Sequence, residues 1–476
     1  MIFSTFKFIF LFFPIVFGVY RILNHFKWNT ISKLWLVLAS FYFYAQGSPD
    51  FFPFFWGSVF FNYIVGNTLG KMRGENEKSA QRKILLLIGI LANVALLGYY
   101  KYIDFFIENY NYLTDSALEL KNIILPIGIS FFTFQLIAFL VDAYRGECKN
   151  YDVVDYLLFI TFFPQLIVGP IIHHSEIIPQ FSDKDNCKVN YDNIAKGIFL
   201  FSIGCFKKIM LADVLTTDAQ AYFNAIAATD ALTMAQTWFH SVEYTISYYF
   251  DLSGYADMAI GLGLMFNIII PHNFNSPYKA RNFQDYWRRW HMTLSRFLGD
   301  YIFKSVYKKG SKYRNYYIAT MVTFFVSGFW HGAGWTFVVW GLVNGIFVCV
   351  ASWMKRHEWR LPSILAYPLT GLGIILTRVL FISPTFDYAK NIYRGMIHIN
   401  SGLGTIKNEI LYCITSNKTV TVTLIVGILL CWFAPNSKDL QEKFKPTLAT
   451  VLWAGVAFVI CILNMNKVAT FLYFQF

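Results

Sequence analysis

The sequence predicts an all-α polytopic membrane protein with roughly 10 to 12 transmembrane helices, and three observations carry that class. Hydrophobic residues fill 56% of the 476 positions and charged residues only 14%, a balance outside the soluble range. Apolar stretches of about 20 residues recur from end to end, the length at which a helix crosses hydrocarbon with its backbone polar groups paired internally. The basic residues sit in short loops between those stretches, where the positive-inside rule places them.

Taken in order, candidate spans lie near residues 3–22, 33–47, 51–70, 84–100, 121–143, 154–172, 194–212, 232–250, 316–330, 335–353, 363–383, 418–434 and 448–464. Some are too short or too proline-rich to cross, which sets the lower count. The first carries Lys7 and no small-residue cleavage pattern, so it reads as a retained helix. The formal charge of +12 fits basic loops such as Lys71–Lys83 and Lys355–Arg360 facing the cytoplasm, rather than nucleic acid binding. Counted from the last basic loop, the C-terminal tail emerges on the extracytoplasmic side. The seven cysteines show neither paired nor metal-ligand spacing and read as packing residues.

Residues 101–120 alternate acids with aromatics and suit a partly helical interfacial segment. "LPIGISFFTFQLIAFLVDAYRG" (Leu125 to Gly146) sets Pro126, Gly128, Thr133, Gln135 and Asp142 in one apolar helix, as a kinked, cavity-lining helix would. "FFPQLIVGPI" is bracketed by Pro164 and Gly169-Pro170 and reads as a broken or re-entrant helix. His173, His174 and Glu176 follow without the helical spacing of a metal site and read as a solvated loop.

Polar residues then intrude on apolar sequence, which is costly and calls for a reason. His240 and Glu243 form an i, i+3 pair, open between internal charge pairing and a functional role. Asp251, Ser253 and Asp257 beside small residues read as a polar cavity wall. "YWRRWHMTLSRFLGDY" repeats Trp287, Trp290, His291, Leu294, Phe297, Leu298 and Tyr301 at helical spacing, with Arg288, Arg289 and Arg296 off the stripe, as in an interfacial amphipathic helix. "FFVSGFWHGAGWTFVVWG" places His331 in an almost wholly apolar stretch, where Gly328, Gly332 and Gly334 admit another backbone or a ligand. An intramembrane imidazole marks a functional site.

Six stretches, "LPIGISFFTFQ", "FFPQLIVGPI", "YYFDLSGYADMAIGLG", "PHNFNSPY", "WRRWHMTLSRFLGDYIF" and "GFWHGAGWTFVVWG", together resemble the membrane-bound O-acyltransferase (MBOAT) family. The resemblance is to its bacterial branch, which holds the membrane subunits of alginate and peptidoglycan O-acetylation. It implies the MBOAT fold around a central tunnel, a single membrane domain over residues 1–476, and a catalytic core at 122–345. It implies His331 as the catalytic histidine, His291 as the second characteristic histidine, and a bacterial cytoplasmic membrane as the location. Acetyl-CoA is the implied donor, with no tightly bound cofactor. An extracytoplasmic serine-hydrolase-like transferase is the implied partner, handing acetyl to a polysaccharide.

Lys279, Arg281, Arg288 and Arg289 are candidates for the donor's phosphates. Trp287, Trp290, Gln135, Asp251, Asp257 and Asn273 complete the weaker binding set. The tail "FLYFQF" (residues 471–476) resembles the F-x-Y-x-x-F end of the small partner peptide in teichoic acid D-alanylation, through Phe471, Tyr473 and Phe476. Tyr473 is therefore either an acyl carrier or part of an interfacial anchor. The H-x-x-x-x-D signature is missing, because Arg296 and Thr336 stand five residues after the two histidines, and GxSxG and P-loop patterns are missing too. The alternatives are D-alanyl transfer to teichoic acid and transport of a polysaccharide or lipid-linked sugar.

Overall fold

The computed structural model describes residues 1–72, 80–148, 151–226, 233–308, 310, 312–398 and 403–465. It is about 80% helical, with no strand among the described residues. Among the described residues four helical stretches are long and apolar enough to span a bilayer: Lys7–His25, Ala80–Thr114, Trp335–Arg356 and Ser363–Ile382. A fifth span is available if Ile406–Ser416 and Lys418–Phe433, bent by 95°, act as one. Other candidates fall short because polar residues interrupt them, as in Met234–Met265, or because the helix breaks. The chain is an all-α, multi-pass membrane protein.

The chain forms two compact units, Met1–Phe201 with Met258–Pro271, and Ser202–Asp257 with His272–Phe476. In the first unit an aromatic cluster does much of the packing, with Phe12 edge-on to Phe163 at 5.4 Å and Phe163 edge-on to Phe266 at 5.9 Å. Asn62 and Asn93 are fully buried and exchange reciprocal amide hydrogen bonds of 3.0 and 2.7 Å, so neither leaves its side chain unsatisfied in an apolar setting. The span expected at 84–100 and the interfacial segment expected at 101–120 are joined in one helix of 35 residues, Ala80–Thr114, through a π-turn at Gly98–Tyr102. Ile84, Leu87, Ile88 and Leu91 on it remain half-exposed, the apolar surface a lipid-facing helix presents.

Pro126 and Gly128 precede the helix Ile129–Arg145 instead of kinking it; Gly128 and Gly146 flank it at φ +76°, where a side chain would be strained. The break expected in "FFPQLIVGPI" is present, since Val153–Thr161 ends at Phe162 and a single turn, Phe163–Leu166, follows. The solvated loop expected at His173–Glu176 is corrected. His174 is buried, with Asp142 Oδ2 3.1 Å and the Tyr151 hydroxyl 2.8 Å from its ring nitrogens. Those partners are distant in sequence, so composition alone suggested water.

In the second unit Tyr313–His331 and Trp335–Arg356 form a hairpin of two close-packed helices. A Cβ on Gly341 would lie 2.4 Å from the Phe324 carbonyl oxygen and 2.9 Å from Gly328 Cα, so the backbones touch where only glycine fits. Gly341→Ala should push the helices apart and destabilise the protein by roughly 1–3 kcal/mol. A thermal melt in detergent checks this, with Gly371→Ala, whose Cβ meets open space, expected to leave the midpoint near wild type.

Candidate functional site

His331 closes its helix and is 5% exposed. The rings of Trp330, Trp340 and Phe381 lie 4.8, 5.0 and 5.5 Å from the imidazole centroid, all at steep angles. Gly332 permits this enclosure, because the Phe337 ring occupies the space a Cβ would need, 2.2 Å away. Gly328 admits the neighbouring helix backbone, while Gly334 has only ordinary contacts.

The rings continue toward the second histidine. Phe381 meets Tyr248 at 5.3 Å, Tyr248 stacks with Trp290 at 5.9 Å, Trp290 meets Phe274 at 5.1 Å, and Phe274 lies 6.3 Å from His291. One apolar wall thus connects the two imidazoles. Trp287 joins it through Trp340 at 5.8 Å.

The continuous amphipathic helix expected around His291 is corrected. Phe283–Trp287 ends, the chain turns through Arg288–Trp290, and His291 at φ +46° caps a new helix, Met292–Leu298. Asn273 imposes this turn: its carbonyl accepts from Met292 N at 2.9 Å and its Oδ1 accepts from Thr293 N and Oγ1 at 3.1 and 3.0 Å. The expected apolar face is still the inner one, with Trp290, His291, Leu294, Phe297 and Leu298 buried and Trp287 and Tyr301 half-buried.

Burial pushes the His291 imidazole down to about 4. The folded value lies below the unfolded one of about 6.5, so the stability held by the neutral ring is complete above pH 6.5 and declines as pH falls toward 4. The total loss is about 3 kcal/mol. His291→Gln should flatten this decline in the pH dependence of the melting midpoint.

A cavity of about 370 Å³ opens beside the wall, lined by Trp287, Arg288, Ser295, Thr320 and Ser327 among others. Ser327 lies one helical turn before His331 and shares its helix face. Of the proposed donor-binding cations only Arg288 lines it. Lys279 Nζ donates to the Ala434 carbonyl at 3.0 Å, Arg281 to the Tyr367 hydroxyl at 3.1 Å, and Arg289 pairs with Asp285 at 2.9 Å. Asp251 and Asp257, expected as a cavity wall, are held in buried ion pairs. Asp251 meets Lys208 at 2.6 Å, and Asp257 meets Lys207 at 2.7 Å and the Ser437 hydroxyl at 2.6 Å. Gln135 is buried in the first unit. Tyr473 and the rest of 471–476 lie outside the described residues.

Sequence reasoning missed Arg378. It sits inside the spanning helix Ser363–Ile382 and is 5% exposed, and no carboxylate among the described residues pairs with it. Its guanidinium lies 4.2, 5.0 and 5.3 Å from the ring centroids of Tyr248, Phe381 and Trp290, the rings that join the two histidines. A lone arginine in an apolar run was the available signal.

A buried imidazole, an aromatic wall carrying a fixed cation, and an adjoining cavity together suit acyl transfer inside a membrane. The family model for membrane-bound O-acyltransferases matches residues 63–366, and the chain belongs to that family. It is accordingly an acyltransferase enzyme. The chain is 39% identical to a peptidoglycan O-acetyltransferase of Helicobacter pylori, over 97% of its own length and 88% of the relative's. It is 34% identical to a probable alginate O-acetylase of Pseudomonas aeruginosa, over 83% and 75% of the two lengths. A teichoic acid D-alanyltransferase of Bacillus subtilis is 31% identical over 51% of this chain and 63% of the relative.

Proposed function

We propose that the enzyme takes acetyl from cytoplasmic acetyl-CoA and delivers it across the bacterial cytoplasmic membrane for O-acetylation of a polysaccharide: alginate, another exopolysaccharide or peptidoglycan. The observation that carries this reading is His331, buried among Trp330, Trp340 and Phe381 in a chain whose long-range relatives are named O-acetylating enzymes.

His331 acts as general base. It takes the proton of an acceptor hydroxyl as that oxygen bonds to the thioester carbonyl carbon, and the tetrahedral intermediate then breaks its C–S bond. The departing thiolate recovers the proton from the imidazolium, so the step is proton-neutral. Arg378 supplies fixed positive charge where the carbonyl oxygen becomes anionic. His291, neutral near pH 7, orients donor or acceptor, and Arg288 meets the donor's phosphates.

Tyr473 is the acceptor that best fits a relay. A thiol of pKa about 8.5, a phenol of about 10 and a weakly acidic alkyl hydroxyl form a descending series of ester activation. The tyrosyl ester would form from the thioester and still acylate a serine of an extracytoplasmic serine-hydrolase-like partner, with the C-terminal tail on that side. Incubation of the reconstituted protein with labelled acetyl-CoA, then mass spectrometry of the C-terminal peptide, should find acetyl on Tyr473. Full activity of Tyr473→Phe would leave the tail as an anchor. The Bacillus relative favours one second reading, D-alanyl transfer, in which only a carrier-protein thioester and not acetyl-CoA would serve as donor.

A further inference from the structure

Away from the aromatic wall, three metal-competent side chains converge. Asp218, on the helix Asp213–Ile226, and His240 and Glu243, one turn apart on Met234–Met265, bring one ligand atom each within 4.8 Å of one another. His240 Nδ1 lies 2.7 Å from Glu243 Oε2 and 3.6 Å from Asp218 Oδ2. Tyr222 stacks on the imidazole at 4.0 Å, and its hydroxyl is tied to Thr237 at 3.0 Å, so the ring plane is fixed. Asn417 Nδ2 donates to Asp218 Oδ1 at 3.1 Å, which leaves Oδ2 as the atom nearest His240.

Charge gives the second, independent pointer. Two carboxylates share one imidazole, and among the described residues no lysine or arginine forms an ion pair with either. Glu243 is 0% exposed, and among the described residues none donates a hydrogen bond to its Oε1. A buried carboxylate without a cation costs several kcal/mol, and burial accordingly pushes the Glu243 carboxyl up to about 9, so that it keeps its proton when no cation is bound.

We propose that Asp218, His240 and Glu243 bind a divalent transition-metal cation, with Zn²⁺ the best match to one imidazole and two carboxylates. Metal–ligand bonds of about 2.0–2.2 Å require ligand atoms roughly 3.3 Å apart in a tetrahedral site. The 3.6 Å separation is near that value, and the 2.7 Å contact opens by a small side-chain rotation. Glu243 Oε1 or a water fills the fourth position. The cation pins the helix Asp213–Ile226 to the long helix that carries Tyr248, and Asn417 ties in the start of Lys418–Phe433. Its role is structural, separate from the acyl-transfer reading.

The full-length protein, purified in detergent and stripped with chelator, is titrated with Zn²⁺ and separately with Co²⁺. The expected result is a saturable rise in melting midpoint with Zn²⁺ and a visible d–d band of four- or five-coordinate Co²⁺. Both vanish in His240→Ala and Glu243→Gln, while Asn417→Ala weakens binding about 10- to 100-fold. Glu243→Gln puts a neutral amide of the same shape in place of a carboxyl that burial already keeps protonated without metal, so its metal-free stability should stay near wild type, and a folded variant is available for comparison. His174→Ala, at the other buried histidine cluster, should keep both signals. Metal uptake and midpoint shifts that are the same in wild type and Glu243→Gln overturn the proposal, as does wild type that takes up neither ion. Acyl transfer enters none of these readouts.

Discussion

Replacing His331 with alanine is expected to lower acetyl transfer about 100- to 10,000-fold, the range for loss of a positioned general base. The side chain is buried among three aromatic rings, so truncation also leaves a void costing about 0.5–3 kcal/mol. His331→Gln separates the two effects, because the amide fills most of the space and keeps hydrogen-bonding capacity but cannot take the proton. The measurement is the initial rate with labelled acetyl-CoA in proteoliposomes, alongside a melt of each variant. A His331→Gln enzyme with wild-type rate would remove the general-base role, whatever its stability.

Arg378→Met should separate stability from activity in the opposite sense. A desolvated guanidinium loses hydration that cation–π contacts return only in part, roughly 2 kcal/mol at such a site. An apolar side chain of similar volume should therefore leave the melting midpoint unchanged or higher. If the cation serves the transition state, kcat drops about 100-fold with KM nearly constant, as when an oxyanion-stabilising group is lost. An unchanged kcat would make Arg378 a packing residue. Arg378→Lys, which keeps the charge but not the planar stack, should fall between the two.

Periodicity made the inner face of the His291 segment legible: Trp290, Leu294, Phe297 and Leu298 recur at helical spacing and are buried. The interruption between Trp287 and Met292 was not legible, because it is enforced by Asn273, far off in the chain. His331 was legible as the one imidazole in an apolar run. Arg378 was equally conspicuous by charge, yet its meaning depends on Tyr248, Phe381 and Trp290, and only Trp290 drew notice in the sequence. Asp251 and Asp257 read as a polar cavity wall because the lysines that pair with them, Lys208 and Lys207, lie on an earlier helix. The cation-competent trio was half visible, as the His240 and Glu243 pair, while Asp218 comes from another helix.

The lysines at 207 and 208 carry a consequence for biosynthesis. Lys208 is made with one partner close by, Asp213 at 2.7 Å, but Lys207 leaves the ribosome before Asp257 exists, so a translocon handling that segment alone would face up to about 3 kcal/mol of insertion penalty for an ammonium brought to mid-bilayer. Asp257, and the second acid on Lys208, Asp251, arrive on Met234–Met265, and the two helices therefore have reason to leave the translocon as a pair, with partition into lipid waiting on the second.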